Sequence, residues 1–113
     1  MHLAEHIKGE IAVVSLSGEL LDDEDESILE QKIISLTSDN IKKIILDFAK
    51  LNRINSQGLA ALLSAVKNVR STGGDIRISG LDEHLNSIFA ITRLVRIFDT
   101  YETVGRAMAS YTH

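Results

Sequence analysis

Two apolar runs, Ile11-Ala12-Val13-Val14-Ser15-Leu16 and Ile44-Ile45-Leu46-Asp47-Phe48, limit what this chain can fold into. Neither alternates apolar with polar residues, as a strand with one wet face does. Near-continuous runs of this length belong to strands covered on both faces. The segment between them carries Leu29, Ile33 and Leu36 at helical spacing. The segment after them carries Leu59, Leu62, Leu63, Val66 and Val69 as one apolar stripe. Buried strands joined through helices lie parallel in one sheet, because the chain must cross back before the next strand starts.

The remaining elements fit the same plan. Leu3 to Ile7 is a short strand, turned by Lys8-Gly9-Glu10 into the first apolar run, which Gly18-Glu19-Leu20-Leu21 closes. Asp22-Asp23-Glu24-Asp25-Glu26 places negative charge at the start of the first helix, which Ser38-Asp39-Asn40 ends. Thr72-Gly73-Gly74 stops the second helix, glycine tolerating a positive φ after the last turn. Asp75-Ile76-Arg77-Ile78-Ser79 alternates as a strand. A third helix then carries Leu85, Ile88, Phe89 and Thr92 on one side. A brief strand near Ile97-Phe98 and a last helix with Val104, Ala107, Met108 and Tyr111 complete the order β-β-α-β-α-β-α-β-α. The expected fold is one α/β domain over residues 1–113, an opening hairpin followed by βα repeats.

Composition narrows the function classes. The chain is 44% hydrophobic and 25% charged, which supports a packed core rather than disorder. A net charge of −4 gives no basic footprint for nucleic acid. The absence of cysteine excludes disulfides, thiolate chemistry and zinc–thiolate sites. With no Trp, three Phe and two Tyr, an aromatic stacking platform is not expected. No charged start leads into an apolar stretch, and no apolar run approaches membrane-spanning length, so a soluble cytoplasmic protein without direct membrane insertion is expected.

The most informative segment is Ile54-Asn55-Ser56-Gln57-Gly58-Leu59-Ala60, which follows the second buried run and opens a helix. A helix N-terminus offers free N–H donors and the positive end of the helix dipole, a suitable place to hold, gain or lose a phosphate. Ser56 there reads in two ways: as the N-cap, its hydroxyl accepting a backbone N–H, or as a phosphoacceptor.

The chain resembles the STAS domain, the fold of bacterial anti-sigma factor antagonists, over nearly its whole length. The resemblance rests on Gly18-Glu19-Leu20, Asp47, the loop Ile54 to Leu59, and Gly73-Gly74-Asp75-Ile76-Arg77-Ile78-Ser79-Gly80-Leu81. In that family the loop commonly reads Asp-Ser-Ser-Gly-Leu, and the Ser before Gly is phosphorylated by a serine-kinase-type anti-sigma factor. The unphosphorylated form holds the kinase and the phosphorylated form releases it. A dianion inside a close interface costs desolvation and like-charge repulsion, so one phosphoryl group suffices. This chain departs at the decisive place. Gln57 stands at the acceptor position, Asn55 replaces the Asp, and Leu21 stands where an Asp is common. Gln57 is neutral like an unmodified hydroxyl, which implies a permanently binding-competent module. The alternative is a lost partner surface with Gln57 kept as a good helix former.

Other groupings carry less. The acidic run lacks the turn glycine and ligand spacing of a calcium loop and reads as a solvated first helical turn. An acidic contact surface for a basic partner stays open beside that reading. His2 and His6 share a strand face, while His84 and His113 stand apart, so no metal set is expected. Ser56 lacks a nucleophile elbow, and Gly73-Gly74 precedes a strand rather than a helix, so no catalytic site and no cofactor are expected.

The resulting expectation is a non-enzymatic interaction module in bacterial transcription regulation and signal transduction. Its contact residues are Asn55, Ser56, Gln57, Gly58, Leu59, Ala60 and Ser64, with Lys67 and Asn68 on the same exposed helix side. The partner implied is a serine-kinase-type anti-sigma factor, bound without phosphorylation at Gln57. Two alternatives remain. One is a scaffold subunit of a stressosome-like or lipid-transport assembly. The other is a sensor of a nucleotide or other small ligand, with an anion at Ser56.

Overall fold

The computed structural model describes residues 1–112. Among them are strands β1 (His2–Lys8), β2 (Ile11–Leu20), β3 (Lys43–Ile54), β4 (Asp75–Ser79) and β5 (Asp99–Tyr101). Helices α1 (Asp23–Ser38), α2 (Ser56–Ser71), α3 (Glu83–Ile91) and α4 (Val104–Tyr111) alternate with them from β2 onward. The sheet order is β1-β2-β3-β4-β5, so each strand lies beside its neighbour in sequence. β1 runs antiparallel to β2 through a tight turn at Gly9, whose φ is +62°, and the other pairings are parallel.

Strand alternation divides the core in two. Ala12, Val14 and Leu16 of β2, Ile44, Leu46 and Phe48 of β3, and Ile76 and Ile78 of β4 face α1, α2 and α3. Ile11, Val13 and Ile45 face the other way, against Ala107 of α4. Thus three crossover helices share one face and α4 covers the other, which is why β2 and β3 lack a polar side. Phe89 sits centrally in the larger core, edge-on to Phe48 at 6.2 Å between centroids and 6.0 Å from Phe98.

Three expectations need correction here. β3 does not end at Phe48 but continues to Ile54, pairing with Lys50↔Ser17, Leu51↔Gly18 and Arg53↔Glu19. Two register shifts in β3 absorb its extra residues, and Asp47 Oδ1 accepts the Ala49 N–H at 3.1 Å across the first. The polar look of Ala49 to Arg53 hid this extension. The final strand is not at Ile97-Phe98 but at Asp99–Tyr101. Phe98 instead turns inward from a 3-10 turn, Leu94–Arg96, because its ring is needed beside Phe89. Thr92 is exposed as the C-cap of α3, its hydroxyl donating to Ile88 O at 2.7 Å, rather than lying on the core side.

The backbone at Arg93 adopts φ +62°, a left-handed conformation that costs a non-glycine residue about 1–2 kcal/mol. It follows the C-cap of α3 and turns the chain into the 3-10 segment.

α4 is fastened at its far end. The Tyr111 hydroxyl lies 2.9 Å from Ile44 O and 2.8 Å from Asp75 O, and Arg77 stacks over its ring at 4.0 Å. Burial, with help from the Asp75 charge, pushes the phenol well above its ordinary pKa, so it stays a donor at any ordinary pH. Tyr111→Phe keeps the ring and removes the donor. It should lower unfolding free energy by about 0.5–1.5 kcal/mol, the one hydroxyl proton shared by the two carbonyls being lost, as read from the midpoint of urea denaturation.

Candidate functional site at the head of α2

The site lies where the C-terminal ends of β2 and β3 meet the N-termini of α1 and α2. Its geometry depends on Gly58. A Cβ at that position would stand 2.3 Å from Leu20 O and 2.7 Å from Ile54 Cγ1, so only glycine lets α2 approach β2 this closely.

The cap of α2 is Asn55, not Ser56. Asn55 Oδ1 accepts the Gly58 N–H at 2.9 Å, while its Nδ2 donates to Leu21 O at 2.8 Å. The second bond explains the amide. An Asp could cap the helix equally well but would have no proton for the Leu21 carbonyl. Ser56 is therefore the first helical residue, exposed and with no side-chain hydrogen bond among the described residues. The expectation that its hydroxyl caps the helix fails because the extended backbone falls one residue earlier.

Gln57 is half-buried and reaches across to α1. Its Nε2 donates to Asp23 Oδ1 at 2.5 Å and to Glu26 Oε2 at 3.0 Å. Asp23 and Glu26, three apart, share one side of α1, where two carboxylates repel. The amide supplies one proton to each, linking the first turns of α1 and α2.

The acidic run is also more structured than a solvated turn. Asp22 caps α1, accepting the Asp25 N–H at 2.9 Å. Asp25 is buried, its carboxylate accepting the Leu21 N–H at 2.9 Å and lying 3.1 Å from the Met1 ammonium. The Leu21 N–H is the main influence holding its carboxyl below the ordinary value. Desolvation acts against it, and the Met1 ammonium and Asp22 N–H act with it. The sequence signal was present as an acid three residues after an N-cap acid, the spacing of a capping box.

Gly58 is buried, Leu59 is half-buried, and Ala60, Ser64, Lys67 and Asn68 are exposed, with Ser64 and Asn68 bordering a groove between α1 and α2. Of the expected contact residues, Asn55, Ser56, Ala60 and Ser64 are thus exposed, Gln57 and Leu59 are half-buried, and Gly58 presents no surface, because it packs on Leu20. Ala61 and Ala65, outside the expected stripe, are buried facing α1. The sequence offered little to find them, since alanine is neutral to burial. His2, His6 and His84 are exposed and dispersed, and His113 lies outside the described residues. Among the described residues no group of three His, Asp or Glu is placed to hold a metal. No described helix is long and apolar enough to cross a membrane.

Residues 3–107 match the model of the STAS domain family. The chain belongs to the STAS domain family. BtrV of Bordetella bronchiseptica, provisionally named an anti-sigma factor antagonist, is 25% identical over 83 residues, 74% of this chain and 72% of its own length. A similarly named Thermotoga neapolitana protein is 30% identical over 66 residues, 58% of each chain. The crystal structure of a Thermotoga maritima protein of the same provisional name superposes with TM-score 0.90 at 20% identity, covering 98% of this chain and 95% of that one. That likeness shows the shared STAS fold.

Two outcomes follow from the site. Gly58→Ala should destabilise the chain by about 1–3 kcal/mol, since the methyl group must displace a backbone carbonyl, measurable by thermal melting. Asp25 should shape the acid limb of stability. Its folded pKa lies below that of the unfolded chain, about 3.9, so the unfolded state binds the proton first as pH falls. The stabilisation is complete above that value and is lost as pH drops through the folded pKa. Asp25→Asn should flatten the acid limb of a denaturation-midpoint-versus-pH curve.

Proposed function

We propose that this STAS domain acts as an anti-sigma factor antagonist that binds a serine-kinase-type anti-sigma factor without phosphorylation at the head of α2. The contact surface is formed by Asn55, Ser56, Gln57, Leu59, Ala60 and Ser64, with Gly58 buried beneath it. The observation that carries this reading is the Gln57 amide held between Asp23 and Glu26. A neutral donor there matches the unmodified state of the family's acceptor serine, and it has no hydroxyl to accept a phosphoryl group. The names of the curated relatives support the antagonist role. The module binds rather than catalyses; any ATP chemistry belongs to the partner.

The anion-sensing alternative finds less support. Asn55 already occupies the Gly58 N–H, and Asp23 and Glu26 stand one side chain away. A phosphate at Ser56 would meet their charge with one fewer donor to hold it.

The test is an affinity capture from source-organism lysate, comparing wild type with Gln57→Glu. Wild type should retain a kinase-type anti-sigma factor. The variant places a third carboxylate between two and should bind at least about tenfold more weakly. With the captured kinase and ATP, Gln57→Ser should take up phosphate and wild type should not. Equal retention of a non-kinase partner by both baits, or phosphate on wild-type Ser56, would sink the reading.

A further inference from the structure

Two surface features complement each other, one far from Gln57 and one that borders its site through Glu26 and Ser64. The first is a knob after α3. Phe89, Leu94 and Phe98 turn inward, while Ile91, Val95 and Ile97 remain 81%, 46% and 38% exposed. The knob is firmly held. Arg70 donates to Ile97 O at 2.6 Å and pairs with Asp75 at 3.0 Å, so its own charge is answered. Arg93 and Arg96, by contrast, have no carboxylate within ion-pair distance among the described residues. Arg93 also sits in the left-handed backbone region where glycine would be relaxed. A long cationic side chain kept at a strained, exposed position between apolar neighbours points to a contact made outside the chain.

The second feature is a groove of about 260 Å³ between α1 and α2. The small Ala61 and Ala65 open it beside Ile33, and Glu26 and Glu30 stand over it. It offers an apolar floor and negative charge, the inverse of the knob's apolar residues and positive charge. Knob and groove lie on different elements, so one copy presents both.

We propose that the chain associates with itself head to tail, the Ile91–Arg93–Val95 knob of one copy seating in the α1–α2 groove of the next. Each contact leaves a free knob and a free groove, so the assembly extends unless it closes as a ring. An anionic bilayer would answer the charge of the knob and leave the groove unfilled, whereas a second copy accounts for both features. The proposal stands independently of the anti-sigma reading. The two share an edge, since Ser64 lies in both surfaces.

Sedimentation velocity of the full chain from micromolar to millimolar concentration tests it. Wild-type mass should rise with concentration above the 12.5 kDa monomer and fall back when salt is added. Arg93→Gly relaxes the backbone and so preserves the fold, yet it should weaken association about tenfold or more. Arg93→Glu and Glu30→Arg should each weaken it alone. Mixed one to one they should restore it, because each mutated surface then meets its opposite charge. A wild type that stays monomeric throughout overturns the proposal. So does association indifferent to Arg93→Gly, a mixture that does not recover, or a knob that binds only phosphatidylglycerol vesicles.

Discussion

The contact between the first turn of α2 and the last residue of β2 governs the arrangement of this molecule's upper end. With no side chain at Gly58, α2 packs directly on the Leu20 carbonyl. That approach brings the Asn55 amide to Leu21 O and the Gln57 amide to Asp23 and Glu26. Three bonds between sequence-distant segments thus depend on a missing methyl group. Moving α2 outward even slightly would break them together, because hydrogen bonds weaken steeply with distance and angle. The site is positioned by packing before any polar group contributes.

Much of this architecture was legible in the chain. Ile11 to Leu16 and Ile44 to Phe48 could only be strands covered twice, and the stripes through Leu29-Ile33-Leu36 and Leu62-Val66-Val69 could only be crossover helices facing them. What stayed hidden were features whose cause lies across the fold. Ala49 to Arg53 looked like a loop because its partner, Ser17 to Leu20, is equally mixed in polarity. Phe98 looked like a strand residue because periodicity cannot show that its ring belongs beside Phe89. At the site, the place of Gln57 in the first turn of α2 was readable, but its two acceptors were not. The acidic run looked like solvent-facing charge, since local sequence gives no hint that α2 returns to it.

The same geometry accounts for two side chains at the head of α2. Asn55 can donate to the Leu21 carbonyl where Asp could not, and Gln57 is long enough to span two carboxylates. A serine at Gln57 would fall short of Asp23 and Glu26, and their repulsion would go unrelieved. The neutral amide is thus part of how α1 and α2 sit together.

The sequential strand order also governs how the chain emerges during synthesis. Each strand finds its neighbour already made, so pairing can proceed in step with elongation and few distant segments must meet. α4 is the exception, because it crosses to the uncovered face. Until it docks, Ile11, Val13 and Ile45 form an oily strip on an otherwise assembled sheet, beside the open edge of β1. A nascent chain paused at that stage would offer a sticky template to its neighbours on a polysome. The tyrosine that pins α4 therefore serves as the clasp that ends this period of risk.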